Sequence, residues 1–123
     1  MSRVKLDAYV VAGVTDHITP WKSVYRTAKI YGDKTTFILS NSGHLQSLIN
    51  PPANPKASFV AGTAKAPDGD AFASTSEKRN GSWWPHWRDW LFERSGAEVP
   101  TPANLGSNRH PAGAAAPGTY VFQ

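Results

Sequence analysis

Two periodicities of apolar residues share the first forty positions, and the switch between them predicts the elements. Leu6-Asp7-Ala8-Tyr9-Val10-Val11-Ala12 is almost continuously apolar and stops at Gly13, which is how a strand buried on both faces reads. Thr19-Pro20 then offers a capping hydroxyl followed by proline at the first helical position, where a missing N–H leaves no bond unmade. Trp21, Val24, Tyr25 and Ala28 fall at i, i+3, i+4 and i+7, one apolar stripe on a helix that Gly32 ends. Thr35-Thr36-Phe37-Ile38-Leu39 is a second short, partly β-branched run. Strand, helix and strand in this order make a βαβ unit with parallel strands, so the predicted fold class is α/β. Such a unit alone leaves apolar surface that the rest of the chain can only partly cover, and the sheet is expected to be part of a larger one.

The pattern weakens downstream. Leu45 to Ile49 predicts a short helical turn that Asn50-Pro51-Pro52 breaks, and Ala53 to Pro67 reads as irregular. Asp70 to Glu77 predicts a weak helix. A firmer one starts at Ser82 as N-cap, carries Trp83, Trp84, Trp87, Trp90 and Leu91 on an aromatic face, and ends at Ser95-Gly96. Those indoles read either as core packing against further sheet or as an amphipathic binding surface; their helical spacing favours the core. From Ala97 onward Pro, Ala, Gly and Asn dominate, predicting an extended tail held, if at all, by Tyr120, Val121 and Phe122.

Composition narrows the classes. The 123 residues suit one modest domain, and the ten glycines and ten prolines gather after Asn50 and again after Gly96, leaving the front half as the better core former. The net charge of +4 is scattered, with no basic helix face, so nucleic acid is not an expected partner. No apolar run is long enough for a membrane span, no secretory leader is visible, and a cytoplasmic protein is the default expectation. No repeat of solenoid length occurs. The chain has no cysteine, hence no disulfide, no thiolate metal site and no thiol nucleophile. His86 and His110 stand apart from any carboxylate pair and give little support to a metal site.

Candidate chemistry lies where α/β folds gather it, just beyond the carboxyl ends of parallel strands. The loop after the first strand holds Gly13, Thr15, Asp16 and His17; the loop after the second holds Asn41, Ser42, Gly43 and His44. An aspartate that accepts from one histidine nitrogen fixes the tautomer, leaving the other nitrogen free to take a proton from a nucleophile. The chain order of an α/β-hydrolase triad is nucleophile, acid, histidine, and Asp16 followed by His44 fits the last two. Each residue has a plainer reading, Asp16 as a turn cap and Ser42-Gly43-His44 as a polar loop; their pairing on consecutive strand ends favours the triad.

Five motifs carry a resemblance. Gly13-Val14-Thr15-Asp16-His17-Ile18-Thr19-Pro20-Trp21 resembles the acid-bearing motif of polyhydroxyalkanoate synthases, and Leu39-Ser40-Asn41-Ser42-Gly43-His44 resembles their histidine-bearing motif. Asn50-Pro51-Pro52-Ala53-Asn54-Pro55-Lys56, Gly81-Ser82-Trp83-Trp84-Pro85-His86-Trp87 and Ala116-Pro117-Gly118-Thr119-Tyr120-Val121 are similar to that family too, in the same order. The resemblance implies a partial α/β-hydrolase fold, its last parallel strands and flanking helices. Residues 1–95 would be the C-terminal part of the catalytic domain and residues 96–123 an extended tail rich in proline, alanine and glycine.

It further implies an acyltransferase that polymerises (R)-3-hydroxyacyl-CoA into a polyester and releases coenzyme A. The thioester is substrate, and no cofactor is expected. His44 would be the general base for a cysteine thiol, Asp16 would orient His44 and assist activation of the incoming 3-hydroxyl, and His17 would support Asp16 through a loop hydrogen bond. The family's cysteine sits in a Gly-x-Cys-x-Gly elbow upstream of the acid, and neither it nor a serine substitute is present. Met1 falls just before the acid-bearing strand, so the upstream half is expected to lie outside this chain and the 123 residues alone to be inactive and prone to aggregate. Granule association and a homo-oligomer are implied for a full-length member. Two alternatives remain: a non-catalytic module that binds polyester or a partner through its aromatic helix, and a fragment of another α/β-hydrolase.

Overall fold

The computed structural model describes residues 6–123. Strand β1 (Tyr9–Gly13) pairs in parallel with β2 (Thr36–Ser40), in register from Tyr9 opposite Thr36 to Gly13 opposite Ser40. Helix α1 (Trp21–Tyr31) connects them. The βαβ unit is therefore present, with shifted boundaries. The first strand starts later than the apolar run: Leu6 is exposed, Asp7 pairs with Arg94, and only the Ala8 carbonyl joins the ladder, accepting from Thr36 N–H at 2.8 Å. Continuous burial belongs to β2, where Phe37, Ile38, Leu39 and Ser40 are all buried; β1 lies at the edge of the described sheet and is half-buried until Ala12.

Helix α1 starts at Trp21 with Pro20 in the cap position and no side-chain cap, because the Thr19 hydroxyl is bonded to Asp16 instead. Its stripe faces inward as the spacing predicts. Tyr25 and Ala28 are fully buried, Trp21 and Val24 pack at the margin, and Gly32 ends the helix at φ +100°, a conformation that favours glycine.

Two strands went unread in the sequence. Ser58–Thr63, inside the stretch expected to be irregular, forms β3 antiparallel to β2, and Lys78–Asn80 forms β4 antiparallel to β3. The sheet is thus mixed, in the order β1-β2-β3-β4. Strand β3 escapes a periodicity reading because four of its six residues are Ser, Ala, Gly and Thr; what makes it a strand is the free edge of β2. Strand β4 is wholly exposed and basic, a polar edge of the kind that resists further pairing. Between them, helix α2 (Gly69–Thr75) begins at an Asp68 cap whose side chain accepts from Ala71 N–H, one residue earlier than the spacing predicts.

Helices cover both faces. On one, Tyr25, Phe37 and Phe72 bring their ring centroids within 5.0–5.2 Å of one another among Ala12, Ala28, Leu39 and Ala64, and the Tyr25 hydroxyl donates to Ala66 O at 3.1 Å. On the other, helix α3 (Trp84–Ser95) and the preceding Trp83 cover Ile38, Phe59, Tyr9 and Val11. Ser82 stands two residues before the helix and accepts from Trp84 N–H, so the expected cap acts on the first helical residue. The indoles divide between the two readings of the aromatic face: Trp83 is buried, Trp84 and Trp90 are half-buried, and Trp87 is exposed. Beyond Gly96 the chain is exposed almost throughout, with one bridge between Gly106 and Pro111. Tyr120, Val121 and Phe122 form a 3-10 turn that faces solvent and does not anchor the tail.

Phe37 has no exposed surface and touches both other aromatic rings of its cluster. Phe37→Ala is expected to lower unfolding free energy by about 3–5 kcal/mol, read from the urea midpoint. For a domain with about 5–15 kcal/mol in all, that leaves little. A loss below about 1 kcal/mol would show that the cluster does not organise the fold.

Candidate functional site

The parallel pairing continues past the strands into both candidate loops. Val14 N–H donates to Ser40 O at 2.9 Å and Thr15 N–H to Ser42 O at 3.2 Å, so the two loops leave the sheet side by side. The approach is tight enough to dictate residue type. A Cβ on Gly13 would stand 2.7 Å from Ser42 O and 2.9 Å from the Ser47 side chain, distances that require something to move. Ser42 itself holds φ +98°, a backbone state uncommon outside glycine and typical of functional turns.

At the tip of the first loop, Asp16 N–H closes a turn onto Gly13 O at 3.2 Å, and the carboxylate collects four donors. Oδ1 accepts from Ile18 and Thr19 N–H, each at 2.9 Å; Oδ2 accepts from the Thr19 hydroxyl at 2.5 Å and from His44 Nδ1 at 2.9 Å. The side chains of Asp16 and His44 are 6% and 40% exposed, so a buried acid holds an imidazole that still reaches solvent. An ionised carboxylate only accepts, so Nδ1 carries the hydrogen and, in the neutral ring, Nε2 is left as the basic nitrogen.

These bonds hold the Asp16 carboxyl well below the usual carboxylate range. The Thr19 hydroxyl contributes most, then Thr19 N–H, with His44 and Ile18 N–H adding to it and burial opposing. A carboxyl with a depressed folded pKa stabilises the native state fully above its unfolded value of about 3.9, and that contribution disappears only as the pH falls through the lower folded value.

The sequence places Asp16 and His44 on neighbouring strand ends, and the structure joins them directly. His17 is different. It is exposed, and among the described residues its side chain makes no hydrogen bond; the bonds expected of it come from Ile18 and Thr19. Sequence reading misses Thr19 as a donor to Asp16, because its hydroxyl reads as a helix cap; its position three residues after an aspartate is the available signal. Asn41 ties the second loop to β3, its side chain accepting from Ser58 N–H and donating to Lys56 O. His86 lies in the first turn of α3, where its Nδ1 and Tyr9 Oη share a hydrogen bond at 2.9 Å and burial, aided by Arg79, lowers its pKa. His110 lies in the exposed tail. Among the described residues no cluster of three or more His, Asp or Glu could hold a metal ion, and no helix is long and apolar enough to cross a membrane.

The fold and the site thus define a mixed α/β protein with a carboxylate–imidazole pair at the carboxyl end of two parallel strands. No protein-family model matches the chain. It is 49% identical over 123 residues to poly(3-hydroxyalkanoate) polymerase 1 of Ectopseudomonas oleovorans, all of this chain and 22% of that protein. Polymerase 2 of the same organism is 46% identical over 122 residues, 99% of this chain and 22% of its own length. A poly(3-hydroxyalkanoate) polymerase subunit of Cupriavidus necator is 35% identical over 121 residues, 98% of this chain and 20% of its own. The chain belongs to the poly(3-hydroxyalkanoate) polymerase family and spans about a fifth of the length of these relatives.

Two outcomes test the geometry. Gly13→Ala is expected to cost about 1–3 kcal/mol through overpacking against the second loop and to lengthen the Asp16–His44 contact; an unchanged denaturation midpoint would mean the loops are not in close contact there. In a side-chain carboxyl NMR titration from pH 7 downward, the Asp16 signal is expected to stay put through pH 4 and move only well below it. A midpoint at or above the ordinary aspartate value would contradict the four-donor arrangement.

Proposed function

We propose that this chain supplies the acid and the histidine of a polyhydroxyalkanoate synthase active site, within an α/β-hydrolase-type catalytic domain. Residues 1–95 form the C-terminal part of that domain and residues 96–123 its tail. The observation that carries the reading is the 2.9 Å bond from His44 Nδ1 to Asp16 Oδ2 at the ends of β1 and β2. The chain holds no cysteine, so the nucleophilic thiol comes from outside these residues.

In this reading His44 Nε2 takes the thiol proton, and the thiolate attacks the thioester carbonyl of an (R)-3-hydroxyacyl-CoA. The attack makes the new carbon–sulfur bond, and collapse of the tetrahedral adduct breaks the bond to coenzyme A, which leaves with the proton from the imidazolium. Chain growth repeats the exchange with a 3-hydroxyl as nucleophile: its oxygen forms the ester bond, the acyl–sulfur bond breaks, and the hydroxyl proton passes through His44 to the leaving thiolate. Asp16 stays ionised throughout, since four donors oppose its protonation, and it stabilises the imidazolium. The reading uses no cofactor; the thioester and the growing polyester are the ligands, and a cytoplasmic, granule-associated homo-oligomer is the full-length context. A second reading, a polyester-binding or partner-binding module, draws on the exposure of Trp87 and Phe92 along α3.

A chimera separates the two. With this chain replacing the segment it matches in the Ectopseudomonas oleovorans polymerase 1, release of coenzyme A from (R)-3-hydroxyacyl-CoA is expected, and His44→Gln or Asp16→Asn should reduce it by about 10²–10⁴-fold. A folded chimera whose turnover is indifferent to His44→Gln sinks the catalytic reading and favours the binding module. The 123-residue chain alone should release none.

A further inference from the structure

The imidazole of His44 is 40% exposed, and among the described residues Asp16 is its one hydrogen-bond partner, so its aim is only as fixed as the backbone beneath it. That backbone is a short helix-like turn: Ser47 N–H donates to Gly43 O and Ile49 N–H to Leu45 O, each at 2.9 Å. The last carbonyls of such a turn need donors from the residues that follow. Here the chain runs Asn50-Pro51-Pro52, and proline has no N–H. Leu48 O accepts from Asn50 N–H at 3.1 Å, and the side-chain donors to the turn come from more than thirty positions downstream. Trp83 Nε1–H donates to Ser47 O at 2.7 Å, Trp84 Nε1–H to Leu48 O at 3.0 Å, and the Ser82 hydroxyl to Asn50 O. Ser82 Oγ also accepts from Trp84 N–H at 3.0 Å, which locks the three donors to the start of α3.

The arrangement is rigid. Ser47, Asn50, Ser82 and Trp83 are 2%, 1%, 7% and 7% exposed, and the other side of Ser47 lies against Gly13 at the end of the acid-bearing strand. The turn that carries His44 is therefore wedged between β1 and the indole of Trp83. An indole N–H suits this task, because a flat ring with few rotatable bonds brings one donor to one place while its body fills the core.

We propose that Ser82, Trp83 and Trp84 are positioning residues for His44, clamping the carbonyls of the turn beside the double proline and fixing it so that Nδ1 meets Asp16. The inference rests on the reading of His44 as a base, which it deepens. It also joins two motifs that sequence reading left apart: Asn50-Pro51-Pro52 and Ser82-Trp83-Trp84 are the two sides of one clamp, and a hydroxyl and two indoles are required where any apolar residues would fill the core.

The test uses the full chain, uniformly ¹⁵N-labelled, the His44 signals being assigned by His44→Gln. The wild type is expected to show a protected His44 Nδ1–H. In Ser82→Ala that proton should exchange with water about five- to tenfold faster, Trp83→Phe should loosen it further, and Ser82→Thr, which keeps the hydroxyl, should restore it. Helix content by circular dichroism and the protection of the Ile18 and Thr19 amides, which hold Asp16 from the other side, should not change. A His44 Nδ1–H unaffected by Ser82→Ala overturns the proposal, even if Trp83→Phe fails to fold. So does loosening that spreads equally to Ile18 and Thr19, because that marks general destabilisation. The ring signal needs no thiol, so this failure is distinct from that of the catalytic reading, in which the chimera ignores His44→Gln while the clamp still acts on the ring.

Discussion

In-register parallel pairing between β1 and β2 is the constraint from which the site follows. Gly13 opposite Ser40 means that both strands end at the same level, and the ladder carries on through Val14 and Thr15 into the loops. Two chain segments leaving a sheet at the same height and a few ångströms apart present their first polar side chains to each other. The lack of a Cβ at position 13 is what permits the approach. Slipping the register by one residue would turn every side chain of β2 to the opposite face and remove His44 from reach of Asp16.

Asp16 shows that the modest and the functional readings of a loop aspartate need not compete. Its Oδ1 does the work of a turn cap, gathering two backbone N–H groups before α1, while Oδ2 faces the imidazole. The two roles support each other. The backbone donors and the Thr19 hydroxyl keep the carboxylate ionised and stationary, and an ionised, stationary carboxylate is what selects the Nδ1–H tautomer of His44. Taking Thr19 away from helix capping leaves α1 without a side-chain cap, a local loss that the buried stripe of Tyr25 and Ala28 offsets.

The second face of the sheet depends on contacts distant in sequence. Helix α3 has no fully buried residue of its own, and its attachment runs through Trp83, the Tyr9–His86 hydrogen bond and the pairing of Arg94 with Asp7. Its aromatic residues divide accordingly: those near its start are drawn into the sheet and the His44 turn, whereas Trp87 and Phe92 remain at the surface. A single apolar face drawn on a helical wheel does not capture this, because Trp90, farther along the helix, packs its ring centroid 5.4 Å from that of Tyr9 while Trp87 before it is exposed.

The local pattern by itself determined the βαβ unit, the inward stripe of α1, the turn after His44 and the two loops that carry Asp16 and His44. Each of these follows from residues close together in the chain: an apolar period, a proline at a helix start, a glycine past a helix end. Tertiary structure alone decided the rest. Ser58–Thr63 becomes a strand because β2 offers it an edge, Thr19 leaves the helix to bind a carboxylate, His17 turns to solvent, and the tail finds no anchor in Tyr120, Val121 or Phe122. In every such case the deciding partner is either a competing acceptor or a surface formed elsewhere. Propensity is a property of neighbours along the chain, whereas a hydrogen bond goes to whichever group the finished fold brings within reach.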